Sequence, residues 1–183
     1  MKKFTKFLSL AMAALFAISV FTIDSNAMSS VAQSHVRQLT TEEIQLIYSM
    51  FHADQYANMY PDVVKELGSD EATLFSHFIT FGIWEQRQPS VAFNVDVYAS
   101  RNSDLQIAFG DDIIAYYTYY ATHVKNEGFR PLPTVLDAFR NNCTIYSVYD
   151  FVKGQAGPKA GAVPVQNGTY YPGIESTPGW KAQ

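Results

Sequence analysis

The sequence predicts an all-α fold assembled from short helices, and three observations carry that prediction. Apolar residues recur at helical spacing where they cluster, as at Leu74, Phe75, Phe78, Ile79 and Phe81. No segment alternates apolar and polar residues for long, so no strand of any length is expected. A unit of 42 residues occurs twice in tandem, the mark of a module repeated along the chain.

The N-terminus opens with the cationic stretch Lys2, Lys3 and Lys6, followed by Phe7–Ile23 without a charge. Small residues at Ser25 and Ala27 then fit the positions before a cleavage point, so residues 1–27 read as a signal peptide. The competing reading is an uncleaved anchor, since the apolar run falls just short of a comfortable membrane span. No cysteine follows this run, so no lipid attachment point is expected.

Without residues 1–27 the chain holds ten basic and sixteen acidic residues, a formal net charge of −6. That balance argues against nucleic acid and against anionic polymers bound by bulk charge. Cys143 is the single cysteine, which excludes an intramolecular disulfide. Burial must therefore hold the fold together, and 13 Phe and 12 Tyr supply the area.

With Phe51–Pro89 written above Phe93–Pro131, Phe51/Phe93, Tyr56/Tyr98, Asp62/Asp104, Gly68/Gly110, Asp70/Asp112, Thr80/Thr122, Glu85/Glu127 and Pro89/Pro131 are identical. Pro61 suits the first position of a helix and stops the one before it at Tyr60. In the second copy Ser103 is expected to cap the same helix start. Gly68 and Gly110 fall where a helix needs a left-handed residue to end. Ser69 and Asp111 are expected as N-caps of the next helix, and Gly82 as its close in the first copy. Each copy thus reads as helices near 53–59, 61–67 and 70–81, with Ile113, Ile114, Tyr116, Tyr117 and Tyr120 forming the matching stripe in the second.

The string Phe51-x4-Tyr56-x3-Tyr60-Pro61-Asp62-Val63, continued by Leu74-Phe75-x-His77-Phe78-x-Thr80-Phe81-Gly82-Ile83-x-Glu85-x-Arg87-Gln88-Pro89, resembles a tandem unit of Gram-positive secreted and surface proteins, clostridial and lachnospiral among them. The resemblance covers residues 51–131, and the second copy departs from it near Arg130, where the counterpart of Gly82 is missing. It implies an accessory region of a cell-surface protein, without a defined ligand.

Flanking elements complete the layout. Thr40 or Thr41 with Glu42 and Glu43 opens a helix running toward Met50, an N-terminal cap of the repeats. Residues 28–38 read as a flexible leader. The stretch 134–152 reads as one or two helices closing the other end. The expected organisation is a helical repeat domain over 39–153, with repeats at 51–92 and 93–131 and caps at 39–50 and 132–153. An extended or disordered tail rich in Gly and Pro then spans 154–183.

Candidate chemistry is sparse. Cys143 and His123 form the one nucleophile–base pair to consider, and no surrounding signature supports it. The four histidines lack ligand spacing, so no metal or other cofactor is expected. His77, set among aromatics, reads as a packed histidine with one hydrogen-bond partner. Glu85/Arg87 and Glu127/Arg130 read as salt bridges joining the repeats.

The leading expectation is a non-catalytic module, secreted or held non-covalently at the cell surface, that binds a wall glycan or a surface protein. It would bind no nucleic acid and would not enter the membrane once the signal is removed. Trp84, Tyr116, Tyr119 and Tyr120 are the candidate binding residues, because aromatic side chains on a rigid scaffold stack on sugars or anchor partners. The alternatives are an unfamiliar secreted enzyme using Cys143 and a purely structural surface protein.

Overall fold

Pro61 and Gly68 mark out the first helix pair as their chemistry requires. A computed structural model describes residues 28–123 and 128–165; the expected signal peptide at 1–27, residues 124–127 with Glu127 among them, and residues 166–183 lie outside the described residues. Helix α3 (Ala53–Met59) ends at Tyr60, and α4 (Pro61–Leu67) begins on the proline and stops at Gly68, whose φ is +81°. Before them stand α1 (Ser30–His35) and α2 (Thr41–Tyr48). Thr40 and Glu43 form a reciprocal capping box at the start of α2. After them comes α5 (Glu71–His77), which continues as a π-helical turn over Phe78–Gly82.

The second set of helices is α6 (Val95–Ser100), α7 (Ser103–Phe109), α8 (Ile113–His123) and α9 (Val135–Arg140). A 3₁₀ turn follows at Val148–Asp150. Among the described residues there is no strand; one isolated antiparallel bridge pairs Phe151 with Pro158. The all-α class therefore holds. The described residues divide into two compact units, at 28–90 and 91–165, each with its own core.

Phe51 centres the first core, with Tyr56, Phe75 and Phe78 at ring separations of 5.2, 5.2 and 5.5 Å. Positions 42 residues on carry the same arrangement in the second unit: Phe93 lies 5.5, 5.0 and 4.6 Å from Tyr98, Tyr117 and Tyr120. Each such pair adds about 0.5–1.5 kcal/mol beyond the area it buries. A backbone hydrogen bond runs from His52 N–H to the Pro89 carbonyl in the first unit, and in the second from the matching Asn94 N–H to the Pro133 carbonyl, two residues beyond the counterpart of Pro89.

Several local expectations need correction. The helix starts lie one residue later than read: Asp70, not Ser69, caps α5 by accepting from Thr73 N–H, and Asp112, not Asp111, accepts from Ala115 N–H at α8. A carboxylate both reaches the third amide and suits the positive end of the helix. Ser103 is not a cap but the first residue of α7. The cap position belongs to Asn102, whose amide is used elsewhere, on the Tyr98 carbonyl and on Arg130. Gly82 does stand at the end of its helical run, as expected, though without a left-handed φ. It is small because a methyl there would sit 2.5 Å from the Tyr56 hydroxyl.

The leader and the tail are also more ordered than their composition suggests. Residues 28–38 contain α1, capped by the Ser29 hydroxyl and anchored by buried Ala32. Of the tail expected over 154–183, only residues 154–165 are described. Residues 154–165 are tied to the second unit by hydrogen bonds from Gly154 N–H to the Ile107 carbonyl, from Gly157 N–H to Gln106 Oε1 and from Val165 N–H to the Ile145 carbonyl. The closing segment 132–153 supplies one α-helix and the 3₁₀ turn, and buries Ile145, Val148, Tyr149 and Phe151.

Candidate functional site

Of the four aromatic residues singled out from the sequence, two are buried. Trp84 is 2% exposed and Tyr116 0%, so neither offers a ring face to a partner. The Tyr116 hydroxyl is spent on the Gly110 carbonyl, 2.9 Å away, as a buried phenol requires. Tyr119 and Tyr120 are half-buried on α8. Tyr120 packs into the core against Phe93 and Tyr98, which leaves Tyr119 as the residue placed for contact.

Tyr119 belongs to an aromatic surface of the second unit. His123 stacks on it at 4.1 Å and 11°, one helical turn further along α8. Phe109 meets its ring at 5.6 Å. The Arg130 guanidinium lies 5.9 Å from the Tyr119 ring and 5.2 Å from that of Phe129, which is 77% exposed. Asp104 holds Arg130 in place by a two-pronged pairing at 2.9 and 2.6 Å. The arginine beside this surface is therefore charge-balanced, and the Asp104 carboxyl is held below its usual range by Arg130. Neither His123, considered only as a base for Cys143, nor Phe129 was among the expected binding residues. Their exposure is set by what packs over them in the fold, which helical spacing does not report.

In the first unit, Arg87 occupies the corresponding station differently. It pairs with Glu85 at 2.7 Å and with Asp62 at 3.1 Å, and its guanidinium lies 4.8 Å over the ring of Tyr60. The expected Glu85/Arg87 bridge is thus a bond within a unit, while the Glu127 half of the other expected pair lies outside the described residues; it is Asp62 and Asp104 that tie each arginine to the start of the second helix of its copy. Beside Arg87 lies a cleft of about 300 Å³, lined by Ser29 and Ala32 of α1 and by Trp84, Glu85, Gln86 and Arg87.

His77 is buried and its Nδ1 lies 3.0 Å from the Tyr56 hydroxyl, matching the packed histidine with one partner. Burial, reinforced by the Arg87 charge, pushes its pKa down to about 4, so the ring is neutral near pH 7. The Tyr56 hydroxyl, pushed far up by burial, stays protonated. Neither group reaches a surface where a substrate could meet it.

Cys143 packs against Val97, Val135, Ala138 and Ile145, with its sulfur 3.9 Å from the Asn141 carbonyl. His123 turns its Nδ1 to the Tyr119 carbonyl and the Thr122 hydroxyl instead. The structure does not record the two as partners. Among the described residues no group of three His, Cys, Asp or Glu side chains converges on a metal position, and no helix is long and apolar enough to cross a membrane.

Comparison of the chain with protein-family models, with curated proteins and with solved structures finds no match.

Proposed function

We propose that the protein is a secreted, non-catalytic binding module that acts at a cell surface, with a wall glycan or a surface protein as its ligand. The observation that carries this reading is the aromatic surface of Tyr119, His123 and Phe129 flanked by a charge-balanced arginine. Such a surface gives large, rigid contact area at little entropic cost and suits a sugar ring or a protein anchor equally. Its neutrality fits an acidic protein working on an uncharged partner. The N-terminal sequence adds the secreted setting, and the resemblance to tandem units of Gram-positive surface proteins adds the cell surface.

The test is sedimentation of the purified chain, lacking residues 1–27, with isolated Gram-positive cell walls, against walls stripped of protein. Binding to both preparations is expected for a glycan ligand; binding lost on stripping identifies a protein ligand. Tyr119→Ala should weaken either by about tenfold, the loss of one aromatic anchor. Recovery of the chain wholly in the supernatant, with its helical signal intact, would refute the module reading.

A further inference from the structure

The aromatic surface of the second unit exposes some groups and closes off others, and that division selects its ligand. Phe129 is 77% exposed, and His123 is exposed at the last turn of α8. Tyr119 is half-buried and supports His123 by stacking under it. From His123 to Tyr119, Arg130 and Phe129 no step exceeds 5.9 Å, so the two exposed rings belong to one patch.

The two nitrogens of His123 have different tasks. Nδ1 lies 2.9 Å from the Tyr119 carbonyl, which only accepts, so Nδ1 carries the proton and donates. The Thr122 hydroxyl, 2.8 Å from the same nitrogen, accepts as well and turns its own hydrogen to the Thr118 carbonyl. In the neutral ring Nε2 is then an acceptor, and it makes no hydrogen bond among the described residues. Positions 42 residues earlier show the contrast. There the pair is His77 and Phe81, 5.8 Å apart, and the histidine is buried against the Tyr56 hydroxyl. The first copy encloses its imidazole; the second presents one to solvent.

Charge narrows the occupant further. The place that a bound cation would take beside the Tyr119 and Phe129 rings is filled by the Arg130 guanidinium. Both oxygens of Asp104 neutralise that guanidinium, and the aspartate side chain, 61% exposed, repels an anion. The same exposed carboxylate fits poorly into the core of a protein interface, which is depleted of charge. A purely apolar ligand would strip water from Nε2 without replacing its bond. A ligand with hydroxyl donors meets none of these conflicts: one hydroxyl donates to Nε2 while the apolar face of a sugar ring covers Phe129.

We infer that the ligand of this surface is a neutral oligosaccharide, and that His123 sets its specificity by accepting a sugar hydroxyl at Nε2 while a ring packs on Phe129. This rests on the surface being the binding site of the proposed module, and it chooses the glycan over the protein ligand.

The experiment is NMR titration of the chain lacking residues 1–27 with maltotriose, cellotriose and the trimer of N-acetylglucosamine, and in parallel with choline chloride and inorganic phosphate. At least one trimer should move the His123 Nε2 and Phe129 ring signals while Nδ1 keeps its proton. His123→Phe keeps a ring on Tyr119 and removes the acceptor; it should weaken that trimer by about tenfold. Phe129→Ala should weaken it by a similar factor. Both variants change exposed side chains, and an unchanged helical signal checks that they fold. Shifts from choline or phosphate alone, no shift from any trimer, or undiminished binding by His123→Phe would each overturn the inference. Wall sedimentation separates the two readings. A chain that sediments but ignores the trimers refutes the oligosaccharide inference alone, and one that does neither refutes both.

Discussion

The two units build nearly the same aromatic core and then treat equivalent positions in opposite ways. Phe51 and Phe93 each gather three rings at separations between 4.6 and 5.5 Å. Around those cores the aspartates Asp54 and Asp96, 42 residues apart, have different fates. Asp54 is exposed, whereas Asp96 is buried and accepts from Val148 N–H at 2.7 Å. The closing segment of the second unit covers that aspartate. The first unit instead seals a histidine, His77, where the second has the half-buried Tyr119. Each unit thus encloses one group, besides its tyrosines, whose protonation burial shifts, an imidazole in the first and a carboxyl in the second. A shared core tolerates different polar solutions at its edge, because an edge group is judged by what covers it locally.

The comparison is broken most directly at its centre. Phe51→Ala and Phe93→Ala should each cost about 3–5 kcal/mol, the usual loss for a large buried aromatic. Hydrogen exchange resolved by unit should show similar losses of protection around each substituted ring. A several-fold difference between the two would mean that the matched ring distances hide unequal packing.

Acid and base should sharpen the contrast further. Burial raises the Asp96 carboxyl to about 7, above its ordinary 3.8, with the neighbouring Asp150 charge adding to the rise and the Val148 N–H opposing it. Between those values the folded unit holds a proton that the unfolded chain has released. Stability of the second unit therefore falls as pH rises from about 4 to about 7, by up to roughly 4 kcal/mol. Asp96→Asn, which keeps an acceptor for Val148, should flatten that slope.

His77 has the opposite sign. Its pKa is lowered to about 4 from 6.5, so the unfolded chain binds the proton first. Its contribution is complete above about 6.5 and is lost as pH falls toward 4, by up to roughly 3 kcal/mol. Unit-resolved unfolding across this range should show opposing slopes. Parallel slopes would mean that one of the two groups is hydrated in solution.

Exchanging the arginine stations is a smaller step. Tyr60 stacks under Arg87, packs on Tyr56 at 4.8 Å and accepts from Gln88 N–H at 2.7 Å, whereas its counterpart Asn102 bonds Arg130 directly. Tyr60→Asn imports the second unit's solution without its surroundings and should cost about 2 kcal/mol in thermal unfolding of the first unit. The smallest effect belongs to Gln86→Gly. Relief of the left-handed backbone should outweigh the added freedom of the unfolded chain and stabilise by about 0.5 kcal/mol. A clear loss of stability would mean that the Gln86 side chain supports the fold.

Much of the helical plan was legible because its signals are local. Pro61 and Gly68 bound α4 at the expected residues, since a missing N–H and a left-handed φ act within one turn of chain. The capping residues were displaced by one position, because neighbouring Ser69 and Asp70, or Asp111 and Asp112, are equally able to cap and only the emerging helix chooses. The candidate site was legible in part. Tyr119 lies on a surface, but the same aromatic pattern also marked Trp84 and Tyr116, which the core absorbs. An aromatic residue drives burial and recognition by the same chemistry, so its type alone does not distinguish the two.

The sequence by itself determined the all-α class, the 42-residue spacing of matching residues, the positions of α3 and α4, and the packed character of His77, all set by bonding and sterics between near neighbours. Tertiary structure decided what depends on distant segments meeting. It put a helix in the leader, tied residues 154–165 to the second unit, buried Asp96 while leaving Asp54 in water, and set α1 beside Trp84 to make a cleft. Burial belongs to whatever covers a residue, and chain-distant cover carries no mark in the residues it hides.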